Sequence, residues 1–247
     1  MNSDRIQTAF IVITAMLVGG IATFFFTKTN SPPTAATTVP AENQPAEKSS
    51  PMQFADHYNV DLEAAIAAAK AARTTGTLKP LATTPDEFAR QLGVINFRMA
   101  DFSTRFENPP EANAPEFATY NSELQQLTQD LSNLLSDESL FDKADIETPK
   151  SLAHYEALMA GGALDLDAET TAKIETLIAT AYEKSLPTPA ASTLSESEMA
   201  AFDKAFDAIT AELEPKIREL LKPEQIKRLD AIGLDQALFG LGDRDDD

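Results

Sequence analysis

The chain has 247 residues with 39 acidic against 20 basic side chains, a net charge of −19, and no Cys or Trp. The missing Cys excludes disulfides, thiolate metal sites and a thiol nucleophile. The acidic balance, without any cluster of Lys and Arg, excludes the phosphate-neutralising surface of a nucleic-acid binder.

A short polar tail, residues 1–8, precedes "AFIVITAMLVGGIATFFF", residues 9–26, a run of 18 residues without a charge. As a helix rising about 1.5 Å per residue it spans about 27 Å, close to a ~30 Å hydrocarbon core. A cleaved signal peptide ends its apolar stretch in small residues. Gly20 and Ala22 offer such a site, but a cut there leaves three Phe at the new terminus. The run instead continues through Phe24, Phe25 and Phe26 to Lys28, which reads as a retained single-pass anchor with the remainder outside the cytoplasm.

Residues 27–53 hold five Pro by residue 51 and almost no large apolar side chains. Such a segment cannot bury a core and reads as a Pro-rich, disordered spacer. From there, residues 54–241 predict an all-α domain, an antiparallel bundle of about six helices, with an acidic tail at 242–247. "NVDLEAAIAAAKAARTTG" gives the first helix, with Asn59 as N-cap and Gly76 as its stop.

"TPDE" places Thr84 at N-cap, Pro85 at the first helical position and Glu87 at the third, a capping box. Phe88, Leu92, Ile95, Met99, Phe102 and Phe106 then recur at spacings of 4, 3, 4, 3 and 4. Beyond "NPP" at 108–110, Pro115 opens a second helix with Phe117, Tyr120, Leu124, Leu127, Leu131 and Leu134 at 3, 4, 3, 4 and 3. Two heptad stripes joined by a short loop predict an antiparallel pair over 84–136. Val94 and Phe97 fall off the stripe. Either another helix covers them or they form an exposed protein-contact patch.

The second half, 148–241, repeats this grammar. Thr148 and Pro149 open a helix that Gly161 closes. Asp167 caps the next, whose face is Ile174, Leu177, Ile178, Ala181 and Tyr182. Ser195 and Glu198 form another capping box before Met199, Phe202, Phe206, Ile209 and Leu213, and the stripe falters at Lys216 beside Pro215, where a kink is expected. In "LKPEQIKRLDAIG", residues 221–233, Pro223 sits at the first helical position, Glu224 favours the positive end of the dipole and Gln225 is third.

Leu221, Pro223, Glu224 and Gln225, echoed upstream by Leu166 and Glu169 in "LDAET", resemble the paired LTxxQ motifs of the Spy/CpxP family of bacterial envelope proteins. The likeness spans about residues 150–240, with Lys222 where the motif has Thr, and Asp167 and Thr170 in place of Thr and Gln upstream. The resemblance implies a helical periplasmic protein, free or dimeric, that binds unfolding clients as a chaperone or serves as a stress adaptor. With the anchor, it implies a chain held in a bacterial inner membrane by residues 9–26, its folded part in the periplasm and a homodimer among its expected states. The alternative is an assembly subunit that pairs with a fixed partner through its heptad helices.

No catalytic, cofactor or metal site is expected. The nucleophile-elbow, phosphate-loop and zinc-helix motifs are missing, and His57 and His154, the only two His, stand on different segments. A membrane and a protein partner or client are the expected contacts, with no nucleic acid and no cofactor.

Overall fold

Local capping chemistry sets most of the helix starts. The computed structural model describes residues 51–137, 139, 140, 143, 148–185 and 196–239, with the backbone alone at 52, 53, 196–200, 202, 203 and 239. Among the described residues are nine helices and no strand. They are α1 (Pro51–His57), α2 (Leu62–Thr74), α3 (Pro85–Arg105), α4 (Phe117–Leu135), α5 (Pro149–Ala163), α6 (Ala168–Ser185), α7 (Glu196–Arg218), α8 (Pro223–Ile232) and α9 (Leu234–Phe239). Two of the nine, α1 and α9, of 7 and 6 residues, are too short to show a stripe. The apolar run 9–26, the acidic tail and the Ser195/Glu198 box lie outside the described residues or side chains. Among the described helices none is long and apolar enough to cross a membrane.

Thr84 and Thr148 accept the N–H groups of Glu87 and Ser151, with Pro at the first helical position in both α3 and α5. The Glu87 carboxylate reaches Thr83, one residue earlier than a regular capping box, accepting its N–H at 2.8 Å. Pro115 lies two residues ahead of α4, which starts without a side-chain cap. Helicity also begins earlier than the spacer reading placed it. Pro51 opens α1, and Phe54 and Tyr58 carry enough apolar surface to dock it among Phe102, Phe106 and Tyr120.

Helix ends depart further from expectation. Asn59 is no N-cap: it sits at φ 53 and closes α1, with Val60 N–H on the Ala55 carbonyl at 2.7 Å. Asp61 caps α2 instead. Gly161 closes nothing, since α5 runs on to Ala163 and turns at Asp165, at φ 56. There Leu166 N–H bonds the Gly161 carbonyl at 2.9 Å and Asp165 N–H the Gly162 carbonyl at 3.4 Å, the paired bonds of a Schellman closure. Gly76, at φ 73, closes α2 in the same way, as expected of it.

Two apolar clusters form the interior. The N-terminal one joins α1–α4 around Phe54, Phe88, Phe102, Leu131 and Leu134, and the C-terminal one joins α5–α9 around Ile174, Ile178, Phe206, Leu229 and Leu238. Both heptad stripes are consumed in the first cluster. Arg98 pairs with Asp130 at 2.6 Å and Arg105 with Glu123, so α3 and α4 run antiparallel, as their stripes predict. In α7 the stripe resumes at Ile217, fully buried, past Pro215 and the exposed Lys216. The helix continues through Pro215 to Arg218.

Helices α3 and α5 connect the two clusters and make the most extensive helix pair. Tyr155 and Met159 of α5 enter the N-terminal cluster while Leu152, Ala153, Ala157 and Ala160 enter the other. The pair meets backbone to backbone. A Cβ on Gly93 would stand 2.0 Å from the Met159 carbonyl oxygen, and one on Gly162 1.9 Å from that of Arg90. Only glycine permits so close a crossing at these two positions. Val94 lies at this crossing, half-buried, and Phe97 packs half-buried against the C-terminal cluster with the Arg228 guanidinium 4.6 Å above its ring. The two are covered by neighbouring helices and form no exposed patch.

Candidate functional site

The turn after α5 and the start of α8 bring the two motif stretches together. α5 ends in a row of carbonyls that its own helix cannot satisfy. Each of three meets a side chain: Ala163 O accepts from Arg228 Nη1 at 3.4 Å, Asp165 O from Gln225 Nε2 at 3.0 Å, and Leu166 O from Arg90 Nη1 at 3.4 Å. Two guanidinium groups at the negative end of α5 also match its dipole. Gln225 serves both sides, since its Oε1 accepts Lys222 N–H at 2.9 Å, one half of a capping box at the start of α8.

Leu166 and Leu221 are buried in the same cluster, 4% and 9% exposed. Lys222 Nζ stands 3.7 Å from Asp167 Oδ2. Asp167 itself caps α6, and the Thr170 N–H on its carboxylate, more than Lys222, holds its pKa below the usual range. Of the six motif residues, Leu166, Leu221 and Gln225 thus meet at one junction, and Pro223 starts its helix. Glu169 and Glu224 face solvent beside Lys173 and Lys227. The junction is an internal fastening in which Arg90, Gln225 and Arg228 donate to backbone carbonyls of the chain itself. Arg90 and Arg228, which complete it, carry no signal in the local pattern.

An open cleft of about 450 Å³ lies on another side, lined by Asp86, Lys143, Lys150, His154, Tyr155 and Glu175 among others. Its walls are the first turns of α3 and α5 and the middle of α6. His154 Nδ1 donates to Glu175 Oε2 at 2.9 Å, and its Nε2 stands 3.5 Å from Asp86 Oδ2. Partial burial lowers the His154 pKa, but the hydrogen bonds and charges of Glu175 and Asp86 outweigh it, so the net direction is upward. Burial likewise pushes the Tyr155 phenol far above its ordinary value. The sequence offers His154 only as one of two His on different segments. Its two carboxylates come from helices some 70 and 20 positions away and have no local signature.

Two residues on from His154, Glu156 is buried in the α5–α6 interface, where Tyr182 Oη donates to its Oε2 at 2.6 Å. Burial raises this carboxyl well above its usual value, and the tyrosine bond offsets that only in part. Burial therefore favours the neutral acid. Among the described residues no group of three His, Asp or Glu side chains is placed to hold a metal.

Comparison with protein-family models, with curated proteins and with solved structures found no match to the chain. The likeness to the LTxxQ group stands on the motif residues alone.

Proposed function

We propose that this chain is a helical adaptor that binds one dedicated protein partner, tethered by residues 9–26 to a bacterial inner membrane with its folded part in the periplasm. One observation carries the choice of a dedicated partner over general client capture. Every Phe, Leu, Ile, Val, Met and Tyr whose side chain is described is buried or half-buried. Capture of unfolding chains needs a large exposed apolar surface, and these residues provide none.

What faces solvent is polar and strongly acidic, with the chain at −19. Recognition then runs through charge complementarity with a basic partner, which governs association rate and specificity and weakens with salt. Pairing through the heptad stripes has lost its surface, because both stripes are packed inside the N-terminal cluster.

The test uses the full chain in detergent micelles. Mixed at equimolar ratio with a heat-unfolded client, it leaves the rise in light scattering unchanged. Suppression without ATP would overturn the adaptor reading in favour of a chaperone. Crosslinking in intact membranes then yields one partner in fixed ratio, whose complex with the purified chain dissociates as salt rises.

A further inference from the structure

We propose that His154 is a proton-dependent clasp between the two apolar clusters: as imidazolium it binds Asp86 of α3 and Glu175 of α6 at once, and as imidazole it can donate to only one of them. The argument begins with connectivity. α3 supplies the spine of the N-terminal cluster and α6 a wall of the C-terminal one. α5, which carries His154, belongs to both. The imidazole therefore stands where a single side chain touches acids from both halves of the molecule, with its two nitrogens facing different carboxylates at 2.9 and 3.5 Å.

A neutral imidazole has one N–H and one lone pair, while the cation has two N–H groups. The shorter bond selects the tautomer. Neutral His154 keeps its proton on Nδ1 for Glu175, which turns a lone pair towards the Asp86 carboxylate. Loss of the proton thus replaces attraction by repulsion at Asp86 and frees the first turn of α3. With a side chain 43% exposed beside an open cleft, His154 exchanges protons directly with solvent.

Among the described residues, the other charges lining the cleft are Lys150, on the same helix, and Lys143, on the segment ahead of it, and positive charge opposes protonation. Two carboxylates within hydrogen-bonding or ion-pair range outweigh them in the net direction. Since the folded value lies above the unfolded one, the clasp contributes fully below about pH 6.5. Its contribution is lost as pH rises through the folded value.

The experiment follows the two histidine rings by NMR in the full chain in micelles between pH 5 and 9, with His57→Gln assigning them. His154 is expected to titrate above the ordinary imidazole value, and Glu175→Gln to move its midpoint lower than Asp86→Asn does. The backbone amides of Asp86 and Glu87 should shift with the same midpoint, and stop doing so in His154→Gln. A midpoint at or below the ordinary value, or α3 amides that ignore it, would overturn the clasp. Glu175→Gln keeps the proposal testable should His154→Gln alter the fold.

Discussion

Helix α3 packs on two neighbours by opposite means. Towards α4 it presents Phe88, Leu92, Ile95, Met99 and Phe102, all at 4% exposure or less, and large side chains fill the gap between two backbones. Towards α5 it presents Ala89 and Gly93, opposite Gly162, and the backbones touch. The first interface draws its stability from apolar area, at roughly 25 cal/mol per Å² removed from water. The second draws it from close dispersion contact and from leaving no space. One helix can thus belong to two cores because its two faces differ in size rather than in polarity.

The large-residue face should suffer most from truncation. Phe102 is fully buried among the rings of Phe54, Tyr58, Phe106 and Tyr120, so Phe102→Ala removes one side of an aromatic cluster. Urea unfolding followed by circular dichroism should show a loss of about 3–5 kcal/mol. A loss under about 1 kcal/mol would mean that the cluster collapses freely around the gap, against the ordinary behaviour of close-packed cores.

The small-residue face should fail by addition. Gly162→Ala forces a methyl group to within 1.9 Å of the Arg90 carbonyl oxygen, and only movement of a helix relieves it. Overpacking of this kind costs about 1–3 kcal/mol, here enough to exceed the ~1 kcal/mol that alanine gains over glycine within a helix. Its neighbour sharpens the comparison. A Cβ on Gly161 meets side-chain atoms rather than backbone, Thr171 Oγ1 at 3.0 Å and the Arg90 guanidinium at 3.3 Å, which need give only a few tenths of an ångström. Gly161→Ala should therefore be close to neutral. Equal losses at the two positions would remove the backbone-contact explanation.

The same contrast explains what could be read in advance. Heptad stripes and capped starts are local and repeat, so the all-helical class, the antiparallel pair and the openings at Thr84, Thr148, Asp167 and Pro223 were legible. Closures at Asn59 and Asp165 were not, because a left-handed residue other than glycine leaves no mark in composition. "MAGGA" reads as a stop because glycine ends helices more often than it permits helices to cross. The motif positions were legible as helix starts, yet their meeting at the α5 turn depends on Arg90 and Arg228, whose partners are 60 or more residues away. The cleft around His154 was illegible for the same reason.

Buried charge gives a smaller and pH-dependent test between the two interfaces of α5. Burial favours the protonated Glu156 in the fold while the unfolded chain ionises near the ordinary carboxyl value, so folding takes up protons between the two values. Stability from this site therefore falls as pH rises from the unfolded pKa towards the raised folded one. Glu156→Gln keeps an acceptor for Tyr182 and cannot ionise. Its stability relative to the parent should improve steadily between pH 5 and 8. A constant difference across that range would mean that Glu156 is ionised in the fold. His154 adds a slope of the same sign, so the comparison is made in the His154→Gln background.

The smallest effect concerns two closures built alike. Gly76 and Asp165 occupy the same left-handed position after α2 and α5, at φ 73 and 56. A side chain there costs roughly 1–2 kcal/mol, and an acid at the negative end of a helix is a further penalty of a few tenths of a kcal/mol. Asp165→Gly removes both while keeping the backbone carbonyl that accepts from Gln225. The expected gain is about 1 kcal/mol, reduced by the added freedom of glycine in the unfolded chain. Gly76→Ala should lose about the same amount, and because nothing lies within 4 Å of its added methyl group, the loss would be conformational alone. If Asp165→Gly instead destabilises, the aspartate side chain holds the turn after α5 by a contact of its own, and the two closures are not equivalent.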